Sequence, residues 1–185
     1  MDPRTQYLLR LGDDALVLGQ RLGEWCGHGP ALEVDISLAN LALDLIGQAT
    51  LLLNEAGDGD RLAFHRDVLD FKNCLLVEQP NGDFAQTIAR HLLYTSWQHL
   101  LLQRLTQSND KFLSEFAHKA VKEVAYHREL AADWTILRHS AGSVRRKRGL
   151  RVVARFTRAR LQCQGPGTRR CLDDRHQPVR GAGVG

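Results

Sequence analysis

The sequence predicts an all-α protein built as an antiparallel helical bundle. Apolar residues recur at three- and four-residue steps through several long segments, which is the period of an α-helix. Glycine, proline and asparagine turns separate these segments, and the clearest turn is the Gly27–Pro30 stretch. No run of alternating apolar and polar residues indicates a strand. The 185 residues, 43% of them hydrophobic and 25% charged, suffice for one folded domain.

The first two helices form a predicted hairpin. The first begins at Pro3, because proline suits the first helical turn, and ends near Trp25. The second runs from about Ala31 to Ala56 and ends in glycines that favour a helix stop. Its predicted apolar face comprises Leu32, Ile36, Leu38, Leu41, Ala42, Leu45 and Ala49. Its interleaved polar residues are Asp35, Asn40, Asp44 and Gln48.

Two further long helices are predicted after a connecting segment. Residues 61–70 read as a short helix, residues 73–79 as irregular, and Pro80–Gly82 as a turn. Asp83 is the predicted N-cap of the third long helix, with Gln86 three residues later. A fourth helix is predicted from about Lys111.

The charge distribution divides the chain in two. Residues 141–185 contain 12 Lys and Arg against 2 Asp and Glu, whereas residues 1–140 contain 13 against 19. We therefore assign residues 1–140 to the helical domain and residues 141–185 to an irregular Arg/Gly-rich tail. Such a tail is typical of a GC-rich gene translated out of frame. The alternative is a basic arm that binds phosphates, but the tail lacks interleaved aromatic residues, so we expect no nucleic-acid partner.

The sequence also restricts the cellular location. No apolar run approaches the roughly 20 residues that span a bilayer, and no secretory signal begins the chain. The four cysteines include no CxxC pair. We therefore predict a cytoplasmic protein with unpaired thiols and no membrane contact.

A bundle of four helices raises the question of a di-iron site. Such a site needs Glu-x-x-His pairs, because residues three apart share one helical face, and this sequence contains none. Glu123 and His127 lie four apart and favour a polar pair. If Asp35 and Asp44 face the interior, they need partners, which Arg10, Arg21 or Lys122 could supply. The other histidines of residues 1–140 fit surface or capped positions better than metal ligation; they are His28, His65, His91, His99, His118 and His139.

Three stretches carry a family resemblance. They are the run from LRLGDDALVLGQRLGEWCGH to LALDLIGQA, the run LLVEQPNGDFAQTIAR and the run KAVKEVAYHREL. Through them the chain resembles the C-subunit family of bacterial phenylacetyl-CoA monooxygenases, the ring 1,2-epoxidases, over about residues 5–136. The resemblance implies a ferritin-like bundle and a role in aerobic phenylacetate catabolism. It also implies a homologous catalytic A subunit that holds the di-iron centre, with electrons supplied by a separate reductase.

The resemblance also implies which positions have lost iron ligands. Leu45 and Gln48 fall where the catalytic subunit has Glu and His, and Val124 falls at the second Glu. Only position 127 retains the ligand residue of the catalytic subunit, a histidine. The expectation is therefore a structural, non-catalytic subunit that binds no cofactor, with a polar network in place of the metal. The expected members of this network are Asp35, Asp44, Glu123 and His127.

The resemblance ends near residue 137, whereas the family's bundle continues well past residue 140. This predicts an incomplete bundle and a frameshifted or truncated C-terminal part. An alternative function from another class is a free-standing ferritin-like metal-binding protein or oxidase.

Overall fold

The structure, a computed structural model, describes the backbone of residues 2–140 and the side chains of residues 2–136. The predicted tail, residues 141–185, lies outside the described residues. Within the described range all regular structure is helical, so the all-α prediction is confirmed. The elements are α1 (Pro3–Gly23), α2 (Leu32–Ala56), α3 (Gly59–Phe64), a 3-10 helix (Val68–Asp70), α4 (Leu75–Glu78), α5 (Phe84–Leu105) and α6 (Lys111–Ser140).

Helices α1 and α2 form a closely packed antiparallel hairpin. A Cβ atom at Gly12 would lie 2.8 Å from Leu53 Cδ2, and one at Gly19 would lie 3.1 Å from Ile46 Cγ1. The paired positions run in opposite directions along the two helices. Glycine allows the close approach of the two helices at both places, because a side chain there would crowd Leu53 or Ile46.

Helices α5 and α6 form the second antiparallel hairpin. Near the start of α5, the ring centroids of Phe84 and Trp134 lie 5.7 Å apart, and those of His91 and His127 lie 5.6 Å apart. The predicted cap of α5 is confirmed, since the Asp83 carboxylate accepts a hydrogen bond from the Gln86 N–H at 2.9 Å.

Residues 57–83, here named the crossover, run back along α1 and connect the two hairpins. The Lys72 N–H donates to Asp13 at 2.8 Å, and the Cys74 N–H donates to Asp14 at 2.6 Å. Further along, the Asn81 side chain donates to the Arg21 carbonyl at 2.7 Å. Because the crossover returns to the far end of α1, α5 begins beside the start of α2 and runs parallel to it. One long crossover between two hairpins is the ferritin-like arrangement.

Three features differ from the sequence expectations. Leu32 and Ile36, predicted on the apolar face of α2, are 70% and 53% exposed. The segment predicted as irregular contains the one-turn helix α4. The predicted short helix at residues 61–70 is divided into α3 and the 3-10 helix.

Helix α2 has the predicted extent, but it is more apolar over its whole length than the short unbroken apolar runs of the sequence indicate. By length and composition it is the one helix among the described residues that could cross a bilayer, contrary to the expectation of no such run. It also supplies much of the buried core, including Leu38, Leu41 and Leu45. A core helix of a water-soluble bundle passes the same test, so this feature does not indicate a membrane.

Candidate functional site

A layer of polar side chains, here named the polar layer, crosses the bundle where α2, α5 and α6 meet. Four of its members are buried, and the other two reach the surface with their side chains 41% and 25% exposed. The buried members are Gln48, His91, Gln98 and His127, and the surface members are Asp44 and Glu123.

Hydrogen bonds within the polar layer join the three helices. His127 Nε2 lies 3.0 Å from Asp44 Oδ2, and the Gln48 side chain donates to Glu123 at 2.9 Å. The Gln98 side chain donates to Gln48 Oε1 at 3.1 Å. Asp44 and Gln48 are four residues apart on α2, as are Glu123 and His127 on α6, so each pair shares a helical face. Because α2 and α6 run antiparallel, Asp44 faces His127 and Gln48 faces Glu123.

Burial controls the protonation of the two histidines. It lowers the pKa of His127 below its usual range, and hydrogen bonding to Asp44 opposes this shift. Burial lowers the pKa of His91 further, and the nearby His127 and Arg90 add to the effect. Both imidazoles are therefore neutral at pH 7. The carboxylate oxygen of Asp44 accepts this hydrogen bond, so His127 carries its proton on Nε2.

Several buried atoms of the polar layer have no hydrogen-bond partner among the described residues. They are both ring nitrogens of His91, Nδ1 of His127 and Oε1 of Gln98. Burying unpaired polar atoms costs stability, and an apolar layer of equal volume would be more favourable. Packing alone therefore does not explain these side chains.

The structure separates the residues at the expected ligand positions into two groups. Leu45 and Val124 are fully buried in the apolar core, whereas Gln48 and His127 belong to the polar layer. Aliphatic side chains cannot donate to a metal, so this residue set does not fit the di-iron centre of the fold family. Across the described side chains, no three His, Cys, Asp or Glu residues gather in a geometry suited to a metal ion.

The expected network is corrected at Asp35. This residue lies in the first turn of α2, where its carboxylate accepts hydrogen bonds from the Gly27 N–H at 3.0 Å and the Gly29 N–H at 3.4 Å. It therefore fixes the α1–α2 turn, far along α2 from Asp44. Close backbone packing explains this role, since a Cβ at Gly29 would lie 2.7 Å from the Asp35 Cβ.

The expected cationic partners are also corrected. In the described part of the chain, Arg21 pairs with Glu24 at 2.8 Å, and neither Arg10 nor Lys122 forms an ion pair with the two aspartates. The partner of Asp44 is His127 because α2 and α6 face each other at this level.

The positions of two histidines differ from expectation. His91 and His99 are 0% and 9% exposed, although the sequence analysis placed both at surface or capped positions. Sequence reasoning also missed Gln98, which is polar on the buried face of α5. Its signal was weak: Gln98 lies seven residues after His91, so the two share a face of α5.

A groove of about 230 Å³ opens between α2 and α6 where the polar layer reaches the surface. Asp44, Gln48 and Glu123 line it, together with Leu43, Gly47, Leu51, Phe116, Lys119 and Ala120. Lys119 Nζ lies 3.9 Å from Glu123 Oε1. The groove therefore has apolar sides and holds two carboxylates and one lysine.

Gly47 occupies the centre of the α2 wall of this groove. A Cβ atom there would have no neighbouring atom within 4 Å, unlike one at Gly12 or Gly19. Glycine inside a helix is less favourable than alanine by roughly 0.5–1 kcal/mol. No contact within the described residues accounts for this cost at Gly47.

Two comparisons place the chain among known proteins. The sequence model of the family described as "Phenylacetic acid catabolic protein" matches residues 1–168, which include part of the segment assigned above to the tail. The C subunit of the 1,2-phenylacetyl-CoA epoxidase of Escherichia coli (strain K12) is 52% identical over 140 residues. That match covers 72% of this chain and 56% of the E. coli protein, so the chain spans little more than half of that relative's length.

Proposed function

The chain belongs to the family of phenylacetic acid catabolic proteins, and from this premise we propose that it is a structural, non-catalytic subunit of a phenylacetyl-CoA 1,2-epoxidase. In this proposal it assembles with a homologous catalytic A subunit and further subunits of the complex, and it stabilises the subunit that holds the di-iron centre. The complex acts in aerobic phenylacetate degradation in the cytoplasm, without nucleic-acid or membrane partners.

The donor set at the ligand positions carries this proposal. Leu45 and Val124 are fully buried and offer no lone pair, whereas the fold family's iron chemistry needs a carboxylate at both positions. The groups that remain are engaged with one another, His127 with Asp44 and Gln48 with Glu123. These contacts support a role in holding the hairpins together.

The placement of these contacts supports a structural role. Asp44 and Gln48 bind α6, and Gln48 also binds Gln98 on α5, so one layer fixes the spacing of three helices. A protein with a fixed helix spacing presents the same outer surface to each partner molecule. Rigid surfaces reduce the entropy lost on association.

Metal content and turnover test the proposal together. The full chain, purified alone after anaerobic incubation with Fe(II), is expected to retain less than stoichiometric iron and to leave phenylacetyl-CoA unchanged. Co-expression with the catalytic A subunit is expected to yield a complex in which iron is confined to the A subunit. Two irons per chain, or turnover by the chain alone, would instead establish the alternative, a free-standing ferritin-like metal-binding protein or oxidase.

A further inference from the structure

The groove between α2 and α6 combines free acidic oxygens with apolar walls. Among the described residues, Asp44 Oδ1 accepts no hydrogen bond, since only Oδ2 contacts His127. Glu123 accepts from Gln48 through Oε2, while its Oε1 forms a long ion pair with the exposed Lys119 at 3.9 Å, so the groove holds two carboxylates against one ammonium group. Two carboxylates with unused acceptor sites favour a cationic group.

The apolar residues of the groove flank these carboxylates along α2. Leu43, Gly47 and Leu51 are spaced four residues apart, so they form one stripe on the helix. Leu43 is 66% exposed and Leu51 is 43% exposed. A single exposed leucine is ordinary, but two that bracket an acidic groove provide the mixed chemistry of a protein interface.

Gly47, which has no side chain, leaves a depression between Leu43 and Leu51 on the surface of α2. Glycine has a low helix propensity, and no atom within the described residues lies close enough to require the absence of a side chain at this position. Glycine does allow close approach of another backbone or side chain from outside. The groove volume of about 230 Å³ is below the roughly 300–1,000 Å³ typical of small-molecule sites, so it suits one side chain.

We propose that this groove is a docking site for a segment of a partner subunit, which places a lysine or arginine against Asp44 and Glu123 and apolar side chains against Leu43 and Leu51. The inference rests on the proposed function, because it locates the surface through which this chain engages its catalytic partner. The charge of the groove selects a basic segment, and the closed polar layer behind it limits how deeply that segment enters.

Binding of the full chain to the catalytic A subunit, measured by isothermal titration calorimetry, tests the groove. Gly47→Leu fills the groove and is expected to weaken binding at least about tenfold, while Leu43→Asp places a charge where apolar contact is needed and has a similar effect. Glu123→Gln is expected to weaken binding and to reduce its dependence on salt. Matched controls are Gly23→Leu, at an equally open glycine outside the groove, and Leu32→Asp, at an exposed leucine outside the groove on α2. Both should bind as the unaltered chain does.

A second readout separates docking from folding. Gly47→Ala improves helix propensity, so the isolated chain should unfold about 2 °C higher, yet it should bind the A subunit more weakly. If the unaltered chain binds and all groove variants bind equally well, the groove assignment is overturned while the proposed function stands. If the unaltered chain does not bind, the proposed function is overturned and the groove assignment falls with it.

Discussion

His127 Nε2 lies 3.0 Å from Asp44 Oδ2, and this contact joins two helices whose residues are 83 positions apart. The imidazole is fully buried, while the carboxylate is 41% exposed. The pair therefore connects the interior of the bundle to the groove at its surface.

Removal of the His127 ring is expected to destabilise the chain more than removal of the Asp44 carboxylate. His127→Ala loses the hydrogen bond and leaves a cavity in the core, so the free energy of unfolding should fall by about 2–4 kcal/mol. Asp44→Ala should cost about 1 kcal/mol, because its side chain is partly solvated. Urea unfolding measures both, and equal losses in the two variants would contradict this account.

His91 is expected to make stability depend on pH. Its pKa in the folded state is far below the unfolded value of about 6.5, because the ring is buried. The unfolded chain therefore binds more protons below pH 6.5, and the contribution present above that pH is lost as the pH falls. His91→Phe should reduce the decline in unfolding free energy between pH 7 and pH 5. The exposed His118→Phe serves as control and should leave the slope unchanged.

Asp14 is expected to make stability depend on pH in the opposite direction, with the free energy of unfolding falling as the pH rises. Burial raises its pKa to about 6, the Cys74 N–H opposes this shift, and the charge of Asp13 adds to it. The folded chain therefore binds more protons between pH 4 and 6, and this stabilising contribution is lost as the pH rises through 6. The Asp14→Asn side chain cannot ionise. The free energy of unfolding of this variant, relative to the unaltered chain, should therefore rise by up to roughly 2–3 kcal/mol between pH 4 and pH 7. The exposed Asp70→Asn should show no such gain in thermal unfolding across this range.

The buried pair of Asp13 and Arg66 is expected to hold the crossover against α1. Asp13 is fully buried and accepts hydrogen bonds from Arg66 and from the Lys72 N–H. Asp13→Ala leaves both donors unpaired and should cost about 3–5 kcal/mol. Amide hydrogen exchange should accelerate first in residues 57–83. The exposed ion pair of Lys111 and Glu115 provides the control, since Lys111→Ala should lower the free energy of unfolding much less.

Helix boundaries were predictable because the signals are local. Pro3 begins α1 as expected, Gly57 follows the last residue of α2, and Asp83 caps α5 through a bond to a residue three positions away. Each of these depends on the conformational preference of one residue or on a short-range hydrogen bond.

The crossover was less predictable because long-range contacts fix it. Asp13 and Asp14 are adjacent in sequence and both buried, which no helical period would suggest. Their partners lie more than 50 residues away, and Lys72 and Cys74 contribute backbone N–H groups, which every residue type except proline provides. Sequence pattern cannot select among such donors.

The candidate site was predictable only in part. The pairing of Gln48 with Glu123 depends on the rotation of α2 against α6, which periodicity does not specify to within one residue. For the same reason the burial of His91 was missed, although its place on α5 is clear from the sequence. Asp35 was grouped with Asp44 because both lie on α2, but its role in the turn depends on the approach of the Gly27–Gly29 backbone.

The single long crossover has a consequence for the order of folding. Each hairpin consists of neighbours in sequence and can close rapidly by itself, whereas association of the two hairpins must bring together residues about 50 to 80 positions apart. Late docking of preformed hairpins is therefore the expected rate-limiting step. Substitutions at Gln48, whose bonds form only on that docking, should therefore slow refolding more than they accelerate unfolding.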